Sequence, residues 1–169
     1  MNQSADDFVY LLKTLSGTAA QIRQLTHAFS PYNFRKRAQI EAFSALENIC
    51  HLRDLEIQAY AARIERILNE IRPALADFDG ARVAAESDYN SEEPYDVLNS
   101  FSSAREQNVE KLKALSAEEL EREGLLEGVG KITLRGLAER MREHDDGHLE
   151  DLRVLRNRLE MQRQTQELT

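Results

Sequence analysis

The segment Leu134-Arg-Gly-Leu137-Ala-Glu-Arg-Met141-Arg-Glu-His144-Asp-Asp-Gly-His148-Leu-Glu-Asp-Leu152-Arg-Val-Leu155-Arg-Asn-Arg-Leu159 decides how this chain folds. Its apolar residues recur at steps of three or four, which is the pattern of a long helix with one buried face. Two imidazoles, His144 and His148, stand where that face should be apolar. A polar ring in a core destabilises the fold unless hydrogen bonds or a metal ion satisfy it. At i,i+4 the two rings project side by side, so that one ion could bind both. The plain alternative stays open, because such a pair is often partly exposed or hydrogen-bonded.

Working outward, three more long helices can be drawn. The first is expected from about Asp7 to His27, capped by Asp6 or Asp7, with Phe8, Leu11, Leu15, Ile22 and Leu25 inward. Ser30-Pro31-Tyr32-Asn33 breaks it. The second spans about Lys36 to Ile71, with a face of Phe43, Leu46, Cys50, Ile57, Tyr60, Ile64, Ile67 and Ile71, and Pro73 ends it. A polar connector from Asp77 to Glu93 contains Gly80, and a helical turn is expected near Ala74. The third helix opens at Pro94 and runs to about Leu115, with Val97, Phe101, Val109 and Leu112 inward. Ser116-Ala-Glu-Glu119 is a capping-box pattern for a short helix ending before Gly128. Gly128-Val-Gly130 then leads to Thr133, a cap for the fourth helix, which continues to about Gln162.

The expected fold is therefore all-α, a single four-helix-bundle domain over residues 1–169. Roughly eight residues join helices one and two, which makes them antiparallel neighbours. Helix two would be roughly 50 Å long. The connector after it could reach ~70 Å when extended, enough to run back along the bundle. An up-down-down-up connection with a long crossover between helices two and three is thus allowed.

Composition agrees with a helical bundle: 7 Gly, 3 Pro, no Trp and 31% charged residues. Twenty-two basic against 30 acidic residues leave a charge of −8, which argues against a nucleic-acid partner. No apolar run approaches ~18 residues, so no membrane span is expected, and neither end carries a basic-then-apolar targeting pattern. One cysteine, Cys50, excludes an internal disulfide and reads as a core residue. The plain reading is a cytoplasmic protein.

The remaining histidines are His27 and His51. Glu47, His51 and Asp54 share one strip of helix two, and Arg53 and Asp54 interrupt its apolar face. If that polar gap faces the one at His144 and His148, His51 completes a three-histidine site with an open position. Asp54 either accepts the outer N–H of a histidine or pairs with Arg53 or Arg63. Asp145 lies about 100° around the helix from His144, so it reads as a supporting residue or a cap rather than a ligand. His27 reads as a helix C-terminal residue. Gly147, poor for a helix, could mark a close approach, room beside an ion, or nothing. The zincin motif would need Glu at position 145, and ferritin-like sites need two Glu-x-x-His motifs; neither is present.

Three segments resemble the DinB-like superfamily of four-helix-bundle proteins. They are Glu47-Asn-Ile-Cys-His51-Leu-Arg-Asp54-Leu-Glu56, then Phe101-x-x-x-Arg105, then Gly130-Lys-Ile-Thr133-Leu followed by His144-Asp145-x-x-His148-Leu. The resemblance implies an up-down-down-up bundle, usually a homodimer, holding a divalent metal on His51, His144 and His148. Zinc or nickel is the first expectation, with iron or manganese as alternatives. It also implies thiol-dependent transferase chemistry, a low-molecular-weight thiol acting on an electrophilic substrate, or hydrolase chemistry. Two other classes remain: a non-catalytic, metal-stabilised bundle, and a helical interaction protein whose histidines are merely hydrogen-bonded. The sequence assigns no role to Arg105.

Overall fold

The computed structural model describes residues 3–39 and 42–167. In chain order it contains α1 (Gln3–Thr26), α2 (Pro31–Arg35), α3 (Ala45–Asp54), a π-helical turn (Leu55–Tyr60), α4 (Ala61–Asn69) and β1 (Ala74–Leu75). There follow α5 (Gly80–Glu86), a 3-10 turn (Tyr89–Ser91), α6 (Pro94–Lys113), α7 (Ala117–Leu120), β2 (Glu123–Leu126), β3 (Gly130–Thr133) and α8 (Leu134–Glu167). α1, α6, α8 and the composite α3–π–α4 helix form a four-helix bundle. Contacts fix their senses. Phe8 meets Arg135, Thr18 meets Asp145, and Arg163 bonds the Ala28 carbonyl, so α1 and α8 are parallel. Glu56 meets Arg105 and Glu65 meets Lys111, so α3–α4 and α6 are parallel. Arg23–Asn99 with Thr18–Arg105 makes α1 and α6 antiparallel, as Asn48–His148 with His51–His144 does for α3 and α8. These are the senses that an up-down-down-up connection requires.

Several boundaries differ from the sequence expectation. Helix two begins at Ala45, not Lys36, because Ser44 caps it: its hydroxyl accepts from Glu47 N, and the Glu47 carboxylate accepts from Ser44 N. Asp6 is inside the first turn of α1, which starts earlier than expected, so it is no cap. Ser116 and Glu119 do form a capping box, and Thr133 Oγ1 accepts from Gly136 N at the start of α8. The all-α expectation holds for the bundle, and a small sheet of order β1-β2-β3, for which the sequence reading drew no strand, closes one end. β1 replaces the helical turn near Ala74 and pairs in parallel with β2; β2 and β3 form a hairpin. Gly128 in its turn and Gly130 at the start of β3 have φ +74° and +94°, the left-handed region that glycine adopts without a Cβ clash.

The π-helical turn accounts for the largest error in the second apolar face. The wider turn changes the facing of residues locally, while Tyr60, Ile64 and Ile67 at its end and beyond are buried as the sequence face expects. Ile57, expected inside, is 50% exposed, while Glu56 is 0% exposed. Ile71 is 94% exposed, beyond the end of α4.

The core consists of two apolar clusters, one around Leu15, Ile64, Leu112, Leu137 and Met141, the other around Ile22, Ile49, Phe101, Leu149 and Leu152. Between them every long helix contributes polar residues at one level: Thr18 from α1, Glu56 from the π turn, Arg105 and Asn108 from α6, Asp145 from α8. This polar belt passes through the bundle beside the histidines.

Candidate metal centre

α3 and α8, antiparallel and adjacent, bring His51 to His144 and His148. His51 Nε2 and His144 Nε2 are 3.4 Å apart, and one ring nitrogen from each of the three histidines lies within 4.8 Å of the others. Ring centroids are 5.2, 5.0 and 4.5 Å apart. His51 is buried and the other two are half-buried. Burial first, then the neighbouring imidazoles, pushes His51 down to about 4 and His148 down to about 3; burial also lowers His144. All three rings are therefore neutral at pH 7, the form that can donate a lone pair. Two of their nitrogens, His51 Nδ1 and His144 Nδ1, are buried with no hydrogen-bond partner. Orphaned polar atoms of this kind are rare in a core and are ordinarily explained by an ion or water. An all-imidazole donor set fits a first-row divalent ion such as zinc, nickel or iron.

The surroundings are aromatic. The rings of Phe43 and Phe78 lie 5.6 and 5.9 Å from that of His51, centroid to centroid. Gly80 abuts the same ring: a Cβ there would sit 2.3 Å from His51 Cε1 and 2.8 Å from Nδ1. By contrast nothing lies within 4 Å of a Cβ built on Gly147, so no close approach explains that glycine. Opposite outcomes follow for two alanine variants. Gly147→Ala is expected to raise stability by about 0.5–1 kcal/mol, seen as a higher melting temperature with an unchanged cluster. Gly80→Ala must displace the His51 ring and is expected to lower the melting temperature and open the cluster. Equal melting temperatures for the two variants would contradict this packing.

The supporting carboxylates have other partners. Asp54 accepts from Arg53 Nε at 2.9 Å and from the Tyr89 hydroxyl at 2.6 Å, and Arg53 also pairs with Glu92. Of the two readings for Asp54, the Arg53 pair is the one formed. Glu47 pairs with Arg37 beside its cap. Asp145 receives a bidentate Arg105, at 2.5 and 2.8 Å, and the Thr18 hydroxyl at 2.7 Å. Arg105, stacked on Phe101 with its Cζ 5.0 Å from the ring centroid, also bonds Glu56 at 2.7 Å. Asn108 donates to the Glu56 carboxylate at 2.8 Å and to its backbone carbonyl at 3.1 Å, which supports the π turn. His27 is exposed, its Nδ1 3.0 Å from the Gln24 carbonyl, and does not join the cluster. The sequence reading missed Asn48 and Glu56. Asn48 was findable, since it lies three residues before His51 on one helix face. Glu56 was not, because nothing local announces the π turn.

Burial keeps these rings neutral, helped at His51 and His148 by the neighbouring imidazoles, which has a measurable consequence in metal-free protein. Their folded-state values lie below the ordinary histidine value near 6.5, so the unfolded chain takes up protons first as pH falls. The stabilisation is complete above about 6.5 and is lost progressively as pH falls toward about 4. Urea unfolding is expected to show a loss of stability between pH 7 and pH 5 on the order of 2–4 kcal/mol, with the midpoint falling accordingly. A His148→Leu variant should drop less, and an equal drop would refute the assignment.

A four-helix bundle with a histidine triad set in a polar break of its core defines the class of this protein. Residues 3–152 match the family model of the DinB superfamily, and the chain belongs to that superfamily. The solved structure of YfiT from Bacillus subtilis, described as "a probable metal-dependent hydrolase with an unusual four-helix bundle topology", superposes with a TM-score of 0.84. The match covers 91% of this chain and 88% of that one at 17% identity, a likeness of fold. No curated protein sequence matches the chain significantly. Among the described residues no helix is long and apolar enough to cross a membrane.

Proposed function

We propose that this chain is a metal-dependent enzyme of the hydrolase or thiol-transferase kind, with His51, His144 and His148 as the ligands of one divalent ion. Zinc and nickel suit three neutral imidazoles best, ahead of iron and manganese. The observation that carries this reading is the convergence of three neutral rings with two orphaned nitrogens inside an otherwise paired polar layer. Bound there, such an ion lowers the pKa of a water or thiol it coordinates, giving a nucleophile near neutral pH. The residues of this chain hold the rings neutral and wall them with Phe43 and Phe78. The structural neighbour's description favours hydrolysis, and the family resemblance adds thiol transfer to an electrophile. A cytoplasmic homodimer is the working assembly, checked by light scattering.

A second reading, a non-catalytic metal-stabilised bundle, is favoured by the commitment of Asp54 and Asp145 to other partners, which leaves neither as a free general base. Protein purified without a histidine tag is expected to carry about one metal ion per chain and to melt lower after chelation. Absence of stoichiometric metal, with melting unchanged by chelator, would sink both readings. Ester, amide and thiol-plus-electrophile substrates tested on metal-loaded protein separate them.

A further inference from the structure

Asn48 is fully buried on α3, one turn before His51. Its amide nitrogen donates to the Ser44 carbonyl at 2.9 Å and faces the Phe43 carbonyl at 3.4 Å. Its amide oxygen points across to α8 and lies 2.6 Å from His148 Nδ1. The amide cannot be turned over: flipping it would set its oxygen against two carbonyl oxygens. An amide oxygen only accepts, so His148 Nδ1 must carry the proton. In a neutral ring the lone pair is then on Nε2.

We propose that Asn48 is a positioning residue that fixes His148 as its Nδ1–H tautomer, presenting the Nε2 lone pair to His51 and His144. The chain of causes starts in the sequence. The capping box at Ser44 and Glu47 fixes the entry to α3, and the Phe43 and Ser44 carbonyls just before its first residue orient the Asn48 amide. The amide in turn selects the ring nitrogen that can bind a ligand. Of the three clustered rings, His51 and His144 have no such partner at Nδ1, so His148 alone among them has its Nδ1 proton fixed by a neighbour. The consequence for metal binding rests on the three-histidine reading above; the tautomer itself does not.

Two variants and two readouts test this. In metal-free wild-type protein, nitrogen-detected NMR should show His148 with a protonated Nδ1 and a bare Nε2. Asn48→Leu should lose that fixed tautomer and bind zinc or nickel about 10–100-fold more weakly, with helicity by circular dichroism retained. Asn48→Asp keeps an acceptor against His148 but loses the amide hydrogens that face the Ser44 and Phe43 carbonyls. It should melt lower than wild type while keeping the Nδ1–H tautomer and metal affinity near wild type. A purely structural role predicts instead that both variants lose affinity in step with stability. That result, or a wild-type His148 protonated at Nε2, overturns the proposal. If wild-type protein takes up no metal, the three-histidine reading fails and the NMR result alone decides the role of Asn48.

Discussion

Arg105→Ala is expected to destabilise the fold by about 3–5 kcal/mol, a large part of the ~5–15 kcal/mol that holds a domain together. Arg105 is 2% exposed and lies between two buried carboxylates, Glu56 and Asp145. Removing it leaves two acids in the core with no cation. Burial already raises the Glu56 pKa despite the adjacent guanidinium. Without Arg105, Glu56 would be expected to take a proton, and the bidentate bond to Asp145 would be gone. Arg105→Lys should recover only part of the loss, because one ammonium cannot reproduce a planar fork that reaches both acids. Urea unfolding at pH 7 reads these differences. An Arg105→Ala midpoint indistinguishable from wild type would mean the belt contributes nothing. Replacing Arg105, Glu56 and Asp145 together by apolar residues should be less damaging than Arg105→Ala alone, since no unpaired charge remains.

His144→Ala and His148→Ala are each expected to abolish stoichiometric metal and any turnover, while His27→Ala leaves both intact. Two imidazoles make a poor site for a divalent ion that prefers at least three protein ligands, and neither Asp54 nor Asp145 is free to substitute. The His27 ring is a control because it sits at the end of α1, outside the cluster. Relative to metal-loaded wild type, each α8 variant should lose RT ln(1 + [L]/Kd) of unfolding free energy at the metal concentration used, seen as a lower melting temperature. Metal retained in either α8 variant, or lost from the His27 variant, would show that the ligand set is different.

Periodicity makes α8 legible because a helix buried on one face repeats that face every three to four residues, and across Leu134–Leu155 the three- and four-residue steps continue even where His144 and His148 replace hydrophobes. The same rule misplaces the middle of the second helix, where the π turn locally breaks the α-helical period. Ile57 is thereby turned out and Glu56 turned in. The hairpin carried a signal in its paired glycines, yet β1 has only two residues and is stabilised by β2, some fifty positions later. Sequence patterns report faces of single elements. Pairings between distant elements lie outside them.

The candidate site divides along the same line. By itself the sequence determined that two imidazoles interrupt an apolar face, that a polar gap stands at His51 on the second helix, and that the chain makes a helical bundle resembling the DinB kind. Only the tertiary structure decided which polar residues answer one another. It gave Arg105 to Glu56 and Asp145, Asp54 to Arg53 and Tyr89, and Asn48 to His148. The reason is physical. Placing a residue on a helix face needs only local geometry. Choosing its buried partner depends on how two helices settle against each other, because each buried donor and acceptor must find its match across the core.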